Sequence, residues 1–203
     1  AALRLGATPA ATQAILSPLL AEFYKTQPRV HIDVQEDSSQ RLLPLLLNGG
    51  LDAVFCREPV LLPASYVFKP LQPDEPVIMA STRHPLAKRR GIALSALKDS
   101  RWVLPTATIA VREIFEREVL AALPDALQFP VSTVSLPVFA SLLNQPDAVA
   151  LVPQSIAPVL PSGAQLCQLD VKLSSPLPPL GVVHRREQIP AMLIRMLKSW
   201  RNK

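Results

Sequence analysis

The sequence predicts an α/β protein of two lobes, each a mostly parallel β-sheet with flanking helices, joined by two crossover segments. Short runs of alternating apolar residues, typical of strands, take turns with stretches in which apolar residues recur at helical spacing. This alternation occurs in two sets along the chain. With 203 residues, of which 49% are hydrophobic and 18% charged, the chain is long and apolar enough to bury a sizeable core in two lobes.

The first set is a strand, a helix, a strand, a helix and a strand. Leu3 and Leu5 alternate with polar or small residues in the first strand, and Val30, Ile32 and Val34 alternate in the second. Strands joined by helices pair in parallel, because such crossover connections are right-handed. The predicted elements are a strand at residues 3–5, a helix ending near residue 25, a strand at 30–34, a helix through residues 42–47 and a strand at 51–55.

Local signals set the boundaries of these elements. Thr8 is suited to cap the first helix, with Pro9 in its first turn. Pro44 lacks an N–H group, so we expect the second helix to start late or to be distorted there. Gly49 and Gly50 end that helix, because glycine tolerates the left-handed conformation of a helix C-terminus.

The second set predicts the other lobe and the end of the chain. Its elements are strands at residues 77–80, 101–104, 129–134, 148–152, 165–169 and 180–184, with helices at 111–122, at 138–143 and around Leu193, Met196, Leu197 and Trp200. Proline-rich segments at 71–76 and 174–179 are the expected crossings, which proline stiffens by fixing φ. Lobe one is therefore predicted to comprise residues 1–73 and 174–203, and lobe two residues 74–173.

Composition and charge disfavour several classes of protein. The formal net charge is +5, but the densest basic patch, residues 83–90, has no aromatic residue interleaved for stacking on bases. No apolar stretch approaches the roughly 20 residues of a membrane span. Cys56 and Cys167 are the only cysteines, too few for a disulfide scaffold. We expect a cytoplasmic protein with two reduced thiols that does not itself bind nucleic acid or a membrane.

No residue pattern predicts catalysis. The chain lacks the motifs of the nucleophile elbow, the zinc proteases, the phosphate loop and the dinucleotide turn. His31, His84 and His184 lie far apart in sequence, although residues that are distant in sequence still converge in some folds. The expectation is a protein that is not an enzyme and has no catalytic residue, cofactor or metal.

Hydroxyl side chains recur where helices begin. Thr8, Ser38 and Ser39 each follow a predicted strand and stand at a predicted helix N-terminus, where free N–H groups and the helix dipole favour an anion. In open α/β sheets, ligands bind at these carboxyl ends of the strands. The alternative is that the hydroxyls only cap their helices. Both interpretations remain open from the sequence.

The second lobe offers a comparable set of residues. Ser81, Pro105 with Thr106, Ser132 and Pro153 stand at the predicted ends of strands, so a cleft between the lobes would be lined from both sides. For each of these residues taken singly, an ordinary turn is the alternative.

Six motifs, in this order and spacing, resemble the effector-binding domain of LysR-type transcriptional regulators over essentially the whole chain. They are L-R-L-G-A-T-P at residues 3–9, E-D-S-S-Q-R-L-L at 36–43, N-G-G-L-D-A-V-F at 48–55, R-H-P-L-A at 83–87, R-W-V-L at 101–104 and D-A-V-A-L-V-P at 147–153.

The resemblance implies a fold like that of the type 2 periplasmic binding proteins, with a small polar or anionic effector bound between the lobes. It implies a homodimer in which residues 11–25 face residues 111–123 of the partner, and a higher oligomer for the full-length protein. DNA would be bound through an N-terminal helix-turn-helix domain that is absent from this chain. The implied effector contacts, together with Ser38 from the pattern above, are Thr8, Pro9, Ala10, Ser39, Ser81, Pro105, Ser132 and Pro153.

Two positions depart from the family pattern. Ala10 stands where several relatives have a hydroxyl, and Pro146 stands where the family usually has glycine. Two other functions remain as alternatives, a free-standing solute-binding protein and an enzyme on the same two-lobed scaffold. The sequence leaves the effector, the operator and the sign of regulation open.

Overall fold

The computed structural model describes residues 2–107, 109–160 and 165–200. The chain divides into two compact units, with boundaries between Asp74 and Glu75 and between Leu177 and Pro178. We call the unit that contains both chain termini lobe one and the unit between the two boundaries lobe two. The chain therefore passes between the lobes twice.

Among the described residues, ten strands form the two sheets. They are β1 (Leu3–Ala7), β2 (Ile32–Glu36), β3 (Ala53–Arg57), β4 (Tyr66–Gln72), β5 (Pro76–Ser81), β6 (Arg101–Leu104), β7 (Leu127–Ser132), β8 (Ala148–Pro153), β9 (Leu166–Leu169) and β10 (Leu180–Arg185). Lobe one has the order β2-β1-β3-β10-β4 and lobe two the order β7-β6-β8-β5-β9. The α/β prediction with two sheets is confirmed.

Both sheets are mixed, but in each of them four strands run in one direction and a single strand runs against them, so the expectation of mostly parallel sheets is confirmed. In lobe one, β1 pairs in parallel with β2 and β3, whereas β10 runs antiparallel to β3 and β4. In lobe two, β6 pairs in parallel with β7 and β8, whereas β5 runs antiparallel to β8 and β9. The two reversed strands, β5 and β10, are the first strands that the chain forms after each passage between the lobes.

In the described part of the chain, five helices of eight residues or more cover the sheets. We name α1 (Pro9–Ala11, Thr12–Leu16 and Ser17–Thr26, with a π-helical middle piece), α2 (Ser39–Leu47), α3 (Ala110–Ile114, Phe115–Val119 and Leu120–Ala122, again with a π-helical middle piece), α4 (Leu136–Leu143) and α5 (Ala191–Lys198). Short 3₁₀ turns occupy Leu94–Leu97 and Ala157–Val159.

Several boundaries differ from those predicted. The late start of α2 is wrong, because the helix begins at Ser39 and continues through Pro44, which lies on its exposed side. Its predicted end is confirmed, since Gly49 has a φ of +84°. The sequence analysis did not predict strand β4, because Lys69 and Pro70 interrupt its alternation of apolar residues. Proline and lysine suit an edge strand, where they discourage pairing with another chain.

Each sheet is buried on both faces. In lobe one, α1 and α5 cover one face with residues such as Ile15, Phe23 and Met196, and α2 covers the other with Leu42 and Leu46. In lobe two, α3 covers one face, where Trp102 packs on Phe115, and α4 covers the other. Burying one such large side chain contributes about 1.5–3 kcal/mol.

Candidate functional site

The carboxyl ends of three parallel strands meet at one edge of the lobe-one sheet. Ala7, the last residue of β1, pairs with Glu36 at the end of β2 and with Phe55 near the end of β3. Helices α1 and α2 therefore begin side by side at this edge, just after β1 and β2. The structure brings Thr8 and Ser38 together at one edge, as the strand pattern predicts.

Thr8 is held by its backbone, which leaves its hydroxyl out of the helix cap. Its N–H donates to the Phe55 carbonyl at 3.0 Å, and its own carbonyl accepts from the Thr12 N–H at 2.8 Å. Within the described chain, the half-buried side chain makes no capping hydrogen bond. Pro9 is exposed and has no N–H group, and Ala10 is half-buried with only a methyl group to offer.

Ser38 and Ser39 form the start of α2. Ser38 is in the extended conformation of an N-cap residue, and its carbonyl accepts from the N–H groups of Arg41 and Leu42 at 3.1 and 3.0 Å. Its hydroxyl, like that of Thr8, makes no capping hydrogen bond to a described residue. The interpretation that these hydroxyls cap their helices therefore fails at both N-caps. The first N–H groups of α2 have no partner within the helix, by helix geometry.

Carboxylates stand beside these donors. Asp37 accepts a hydrogen bond from the Ser38 N–H at 2.7 Å and lies 3.9 Å from the Arg41 guanidinium, while Glu36 is exposed. The edge is thus not a basic pocket. It is a row of hydroxyl and backbone donors with acidic residues at its side, which can bind a small polar group by directed hydrogen bonds.

The lobe-two sheet has a corresponding edge at the carboxyl ends of β6, β7 and β8. Leu104, the last residue of β6, pairs with Ser132, the last residue of β7. Pro105 directly follows β6, and Pro153 is the last residue of β8, so both prolines lie at the same edge. Both prolines are buried and Ser132 is exposed. The structure brings these three predicted residues to one edge.

Ser81 lies at the opposite edge of the lobe-two sheet, so the expectation that it occupies a matching strand end is wrong. Strand β5 runs antiparallel to β8, and Pro76 at its start pairs with Pro153. Ser81 at its end therefore lies near the beginning of β8. Its side chain is buried, and its hydroxyl accepts from the Arg83 N–H at 3.1 Å. The position of Ser81 depends on the antiparallel direction of β5, and alternation of apolar residues does not specify the direction of a strand.

One charged residue at the lobe-two edge was missed by the sequence analysis. The Arg112 guanidinium on α3 donates to the Pro105 carbonyl at 3.1 Å and forms an ion pair with Glu116 at the same distance. The spacing to Glu116 signals a helical ion pair. No local signal points to the contact with Pro105, which depends on how α3 folds back on β6.

The family model of the LysR substrate binding domain matches residues 1–200. The chain belongs to this family. A LysR-type domain accounts for the two mixed sheets and for the order of the motifs along the chain. The relatives that follow are named as regulators of transcription or activators of genes, not as free-standing solute-binding proteins.

Known relatives agree with this assignment. The chain is 36% identical over 103 residues to the HTH-type transcriptional regulator TtuA of Agrobacterium vitis, a match that spans 51% of this chain and 34% of that protein. It is 28% identical over 190 residues to a probable hydrogen peroxide-inducible genes activator of Mycobacterium avium, covering 91% and 59% of the two chains. The chain thus spans less than two thirds of the length of these relatives.

A solved structure shows the same fold. The Synechocystis PCC6803 CcmR regulatory domain in complex with 2-PG superimposes with a TM-score of 0.78 at 18% identity, covering 98% of this chain and 97% of that one. At this identity the likeness concerns the fold alone.

The thiols of this LysR-type domain lack the environment of a reactive cysteine. Burial raises the pKa of Cys56 to about 12, against which the nearby Arg57 charge acts only weakly. Burial also raises the pKa of Cys167 above its usual value. Since the thiolate is the nucleophile, both groups are held in the unreactive form at neutral pH.

Two further features bear on the site. Across the three described segments, no group of three His, Cys, Asp or Glu side chains is arranged to hold a metal ion. Among the same residues, no helix has the length and apolar character needed to cross a bilayer.

Proposed function

We propose that this LysR-type domain senses a small polar or anionic metabolite, which binds at the lobe-one edge through Thr8, Ser38 and Ser39. The observation that carries the proposal is the pair of helix N-termini at one sheet edge whose N-cap hydroxyls make no capping bond with the described residues. Pro9 and Ala10 belong to the same turn and would contact the ligand through their surfaces.

The chemistry of the edge favours a ligand that accepts hydrogen bonds. The N-terminal N–H groups of α2 and the hydroxyls of Thr8 and Ser38 are donors, and the helix dipole adds about 0.3–1 kcal/mol for a negative group. The carboxylates of Glu36 and Asp37 oppose a high negative charge on the ligand. We therefore propose a ligand with one carboxylate or several hydroxyls. The CcmR relative, whose structure contains 2-PG, is a precedent for a small bound ligand on this fold.

Lobe two offers secondary contacts in this proposal. Pro105 and Pro153 have no N–H group, and their carbonyls already accept hydrogen bonds from Arg112 and from the Ile156 N–H. They would therefore contribute apolar surface, and the exposed Ser132 would contribute a hydroxyl. Ser81 is left out because it lies at the other edge of that sheet.

Calorimetry on single variants tests the lobe-one site. Native mass spectrometry of the purified domain first identifies a co-purified small molecule, and its affinity is then measured for Thr8→Ala and Ser39→Ala. We expect losses of about 1–2 kcal/mol in each, a range that spans the worth of a strong neutral hydrogen bond and of a weak one to a charged group. Ser17→Ala, an exposed serine within α1, is the matched control. Unchanged affinity in both site variants would refute the assignment.

The binding step is proposed to serve transcription rather than catalysis. A helix-turn-helix domain elsewhere in the full-length regulator would bind DNA, as the name of the TtuA relative implies for that protein. The domain itself would be cytoplasmic and would leave its ligand chemically unchanged. Incubation of the domain with the identified ligand, followed by mass spectrometry of the ligand, tests this, and any turnover would argue for an enzyme.

Thiol oxidation is not the proposed signal, although one relative is named for hydrogen peroxide. Cys56 is fully buried and Cys167 half-buried, and burial raises the pKa of both thiols. A peroxide sensor needs a thiolate at neutral pH.

A homodimer through α1 and α3 is also proposed, with one correction. Leu16 lies within the expected interface segment 11–25, but it is buried at 1% exposure and belongs to the core of its own lobe, so it is not available to a partner. Leu20 on α1 and Leu120 on α3 are only partly buried. These two residues support the proposal, because partly covered leucines on a helix surface suit an interface with a second copy.

Sedimentation of Leu20→Asp and Leu120→Asp tests the dimer. A twofold interface uses each contact twice, so either substitution introduces two charges and is expected to shift the mass from dimer to monomer at micromolar concentration. Ala121→Asp, at an exposed position of α3, serves as the control. A wild-type monomer would contradict the proposal, and a folded dimer in both leucine variants would move the interface elsewhere.

A further inference from the structure

One arginine holds both connections between the lobes onto lobe one. Arg57 is the last residue of β3, and its guanidinium forms an ion pair with Asp74 at 3.0 Å and donates to the Pro178 carbonyl at 2.9 Å. The side chains are 17% and 1% exposed for Arg57 and Asp74, respectively. Asp74 is the last lobe-one residue of the first connection, and Pro178 is the first lobe-one residue of the second.

A glutamate holds the second connection onto lobe two. Glu118 lies in the π-helical piece of α3, and its carboxylate accepts hydrogen bonds from the Ser174 N–H at 2.6 Å, the Ser174 hydroxyl at 2.9 Å and the Ser175 N–H at 3.0 Å. Partial burial alone would raise the pKa of Glu118, but the hydrogen bonds from the two serines outweigh it and lower the pKa. Two residues later, Leu177 is buried in the lobe-two core.

The first connection is fixed on the lobe-two side as well. Glu75 directly follows Asp74, and its carbonyl accepts from the Gln154 N–H at 2.8 Å. In each connection, the last residue held by contacts with one lobe is therefore followed directly in the chain by the first residue held by contacts with the other lobe. A single peptide bond joins the two. These junctions are Asp74–Glu75 and Leu177–Pro178.

We propose that Arg57 and Glu118 are clamps that confine any rotation between the lobes to these two peptide junctions. The proline at 178 fixes its own φ and restricts the residue before it, so the second junction has little freedom of its own. Breaking a clamp releases several backbone dihedrals on one side of a junction, each of which adds conformational entropy. Arg57 is also the end of the strand whose Phe55 carbonyl holds Thr8. The clamp thereby links the proposed ligand edge to both connections.

Paired spin labels, one on each lobe, test the proposal in the whole domain. Lys198→Cys on α5 and Ser141→Cys on α4 provide exposed sites, in a Cys167→Ser background and diluted with unlabelled protein. We expect the distance distribution to widen about twofold in Glu118→Ala and Arg57→Met, because the released dihedrals enlarge the set of lobe arrangements. Arg57→Lys keeps the positive charge but cannot donate in two directions as the guanidinium does. The width of its distance distribution is expected to lie between those of wild type and Arg57→Met.

Glu116→Ala is the matched control, since Glu116 lies on the same helix and pairs only at the surface with Arg112. Amide exchange at Ser174 and Ser175 is measured in parallel and is expected to rise about tenfold in Glu118→Ala. Faster exchange with a widened distribution supports the proposal. Faster amide exchange with an unchanged distance distribution overturns the proposal. Unchanged amide exchange in a folded Glu118→Ala variant also overturns it. Should Arg57→Met fail to fold, Arg57→Lys and Glu118→Ala still give each of these outcomes.

Discussion

Replacement of Gly181 by alanine is expected to destabilise lobe one and leave lobe two unaffected. Gly181 lies in β10 where the register with β4 shifts. An added Cβ would stand 2.1 Å from the Lys69 carbonyl oxygen, 2.7 Å from Phe68 Cζ and 2.9 Å from the Lys69 carbonyl carbon. Two of these atoms belong to the backbone of β4, which no change of rotamer can move.

The size of the effect follows from how far β4 must retreat. Non-bonded carbon and oxygen atoms prefer separations near 3.5 Å, so the strand must shift by about 1.4 Å in a close-packed sheet to clear the Lys69 carbonyl oxygen. Overpacking of a core costs about 1–3 kcal/mol and occasionally more. Since the displaced strand also carries hydrogen bonds to β10, we expect a loss of about 3 kcal/mol in the free energy of unfolding of lobe one.

The two tryptophans allow each lobe to be observed separately. Trp200 in lobe one donates from Nε1 to the Leu71 carbonyl of β4 at 3.1 Å, and Trp102 is fully buried in lobe two. In a Trp102→Phe background, urea unfolding followed by Trp200 fluorescence reports lobe one. With a urea m-value of about 2 kcal/mol/M, the midpoint is expected to fall by about 1.5 M.

Gly91→Ala is the matched control in lobe two. Gly91 has a φ of +60°, and among the described residues no atom lies within 4 Å of an added Cβ. Its substitution carries only backbone strain of about 1–2 kcal/mol and is expected to shift only the Trp102 transition, which is followed with Trp102 intact in a Trp200→Phe background. A loss below about 1 kcal/mol for Gly181→Ala in the Trp200 transition would refute the steric argument.

Two further predictions concern titratable groups. His84 is buried, with Nδ1 accepting from the Leu86 N–H and Nε2 facing the Ser100 hydroxyl; burial lowers its pKa, and Asp147 opposes this only in part. Because the unfolded chain then binds the proton more readily, the stability of lobe two is expected to decrease as the pH falls through about 6.5, by at most about 1.4 kcal/mol per pH unit. Urea midpoints between pH 7.5 and 5.5 measure this decrease in stability. The His84→Gln variant is expected to show a weaker dependence of the midpoint on pH. A wild-type midpoint that does not change with pH would contradict the prediction. For the thiols, iodoacetamide at pH 8 is expected to label the half-buried Cys167 well before Cys56, whose pKa burial raises to about 12; equal labelling rates by mass spectrometry would disprove this order.

Local pattern was enough to predict most of the elements and one side of the candidate site. Apolar spacing records which side of an element is buried, so β1, β6, α3 and α4 were predicted within a few residues of their observed positions. Thr8 and Ser38 were predicted as the first residues before helices, because a hydroxyl followed by helical periodicity is itself a local signal. These positions depend on neighbours within a few residues in the chain.

Tertiary structure decided what depends on distant partners. The direction of β5 moved Ser81 to the opposite edge, and the burial of Leu16 came from the joint packing of α1 and α5 on one sheet face. Arg57 reaches a carbonyl 121 residues away, for which no spacing rule exists. The physical reason is that periodicity specifies a buried side but neither the direction of a strand nor the identity of the group that covers it, and both are settled only when the elements of each lobe pack together.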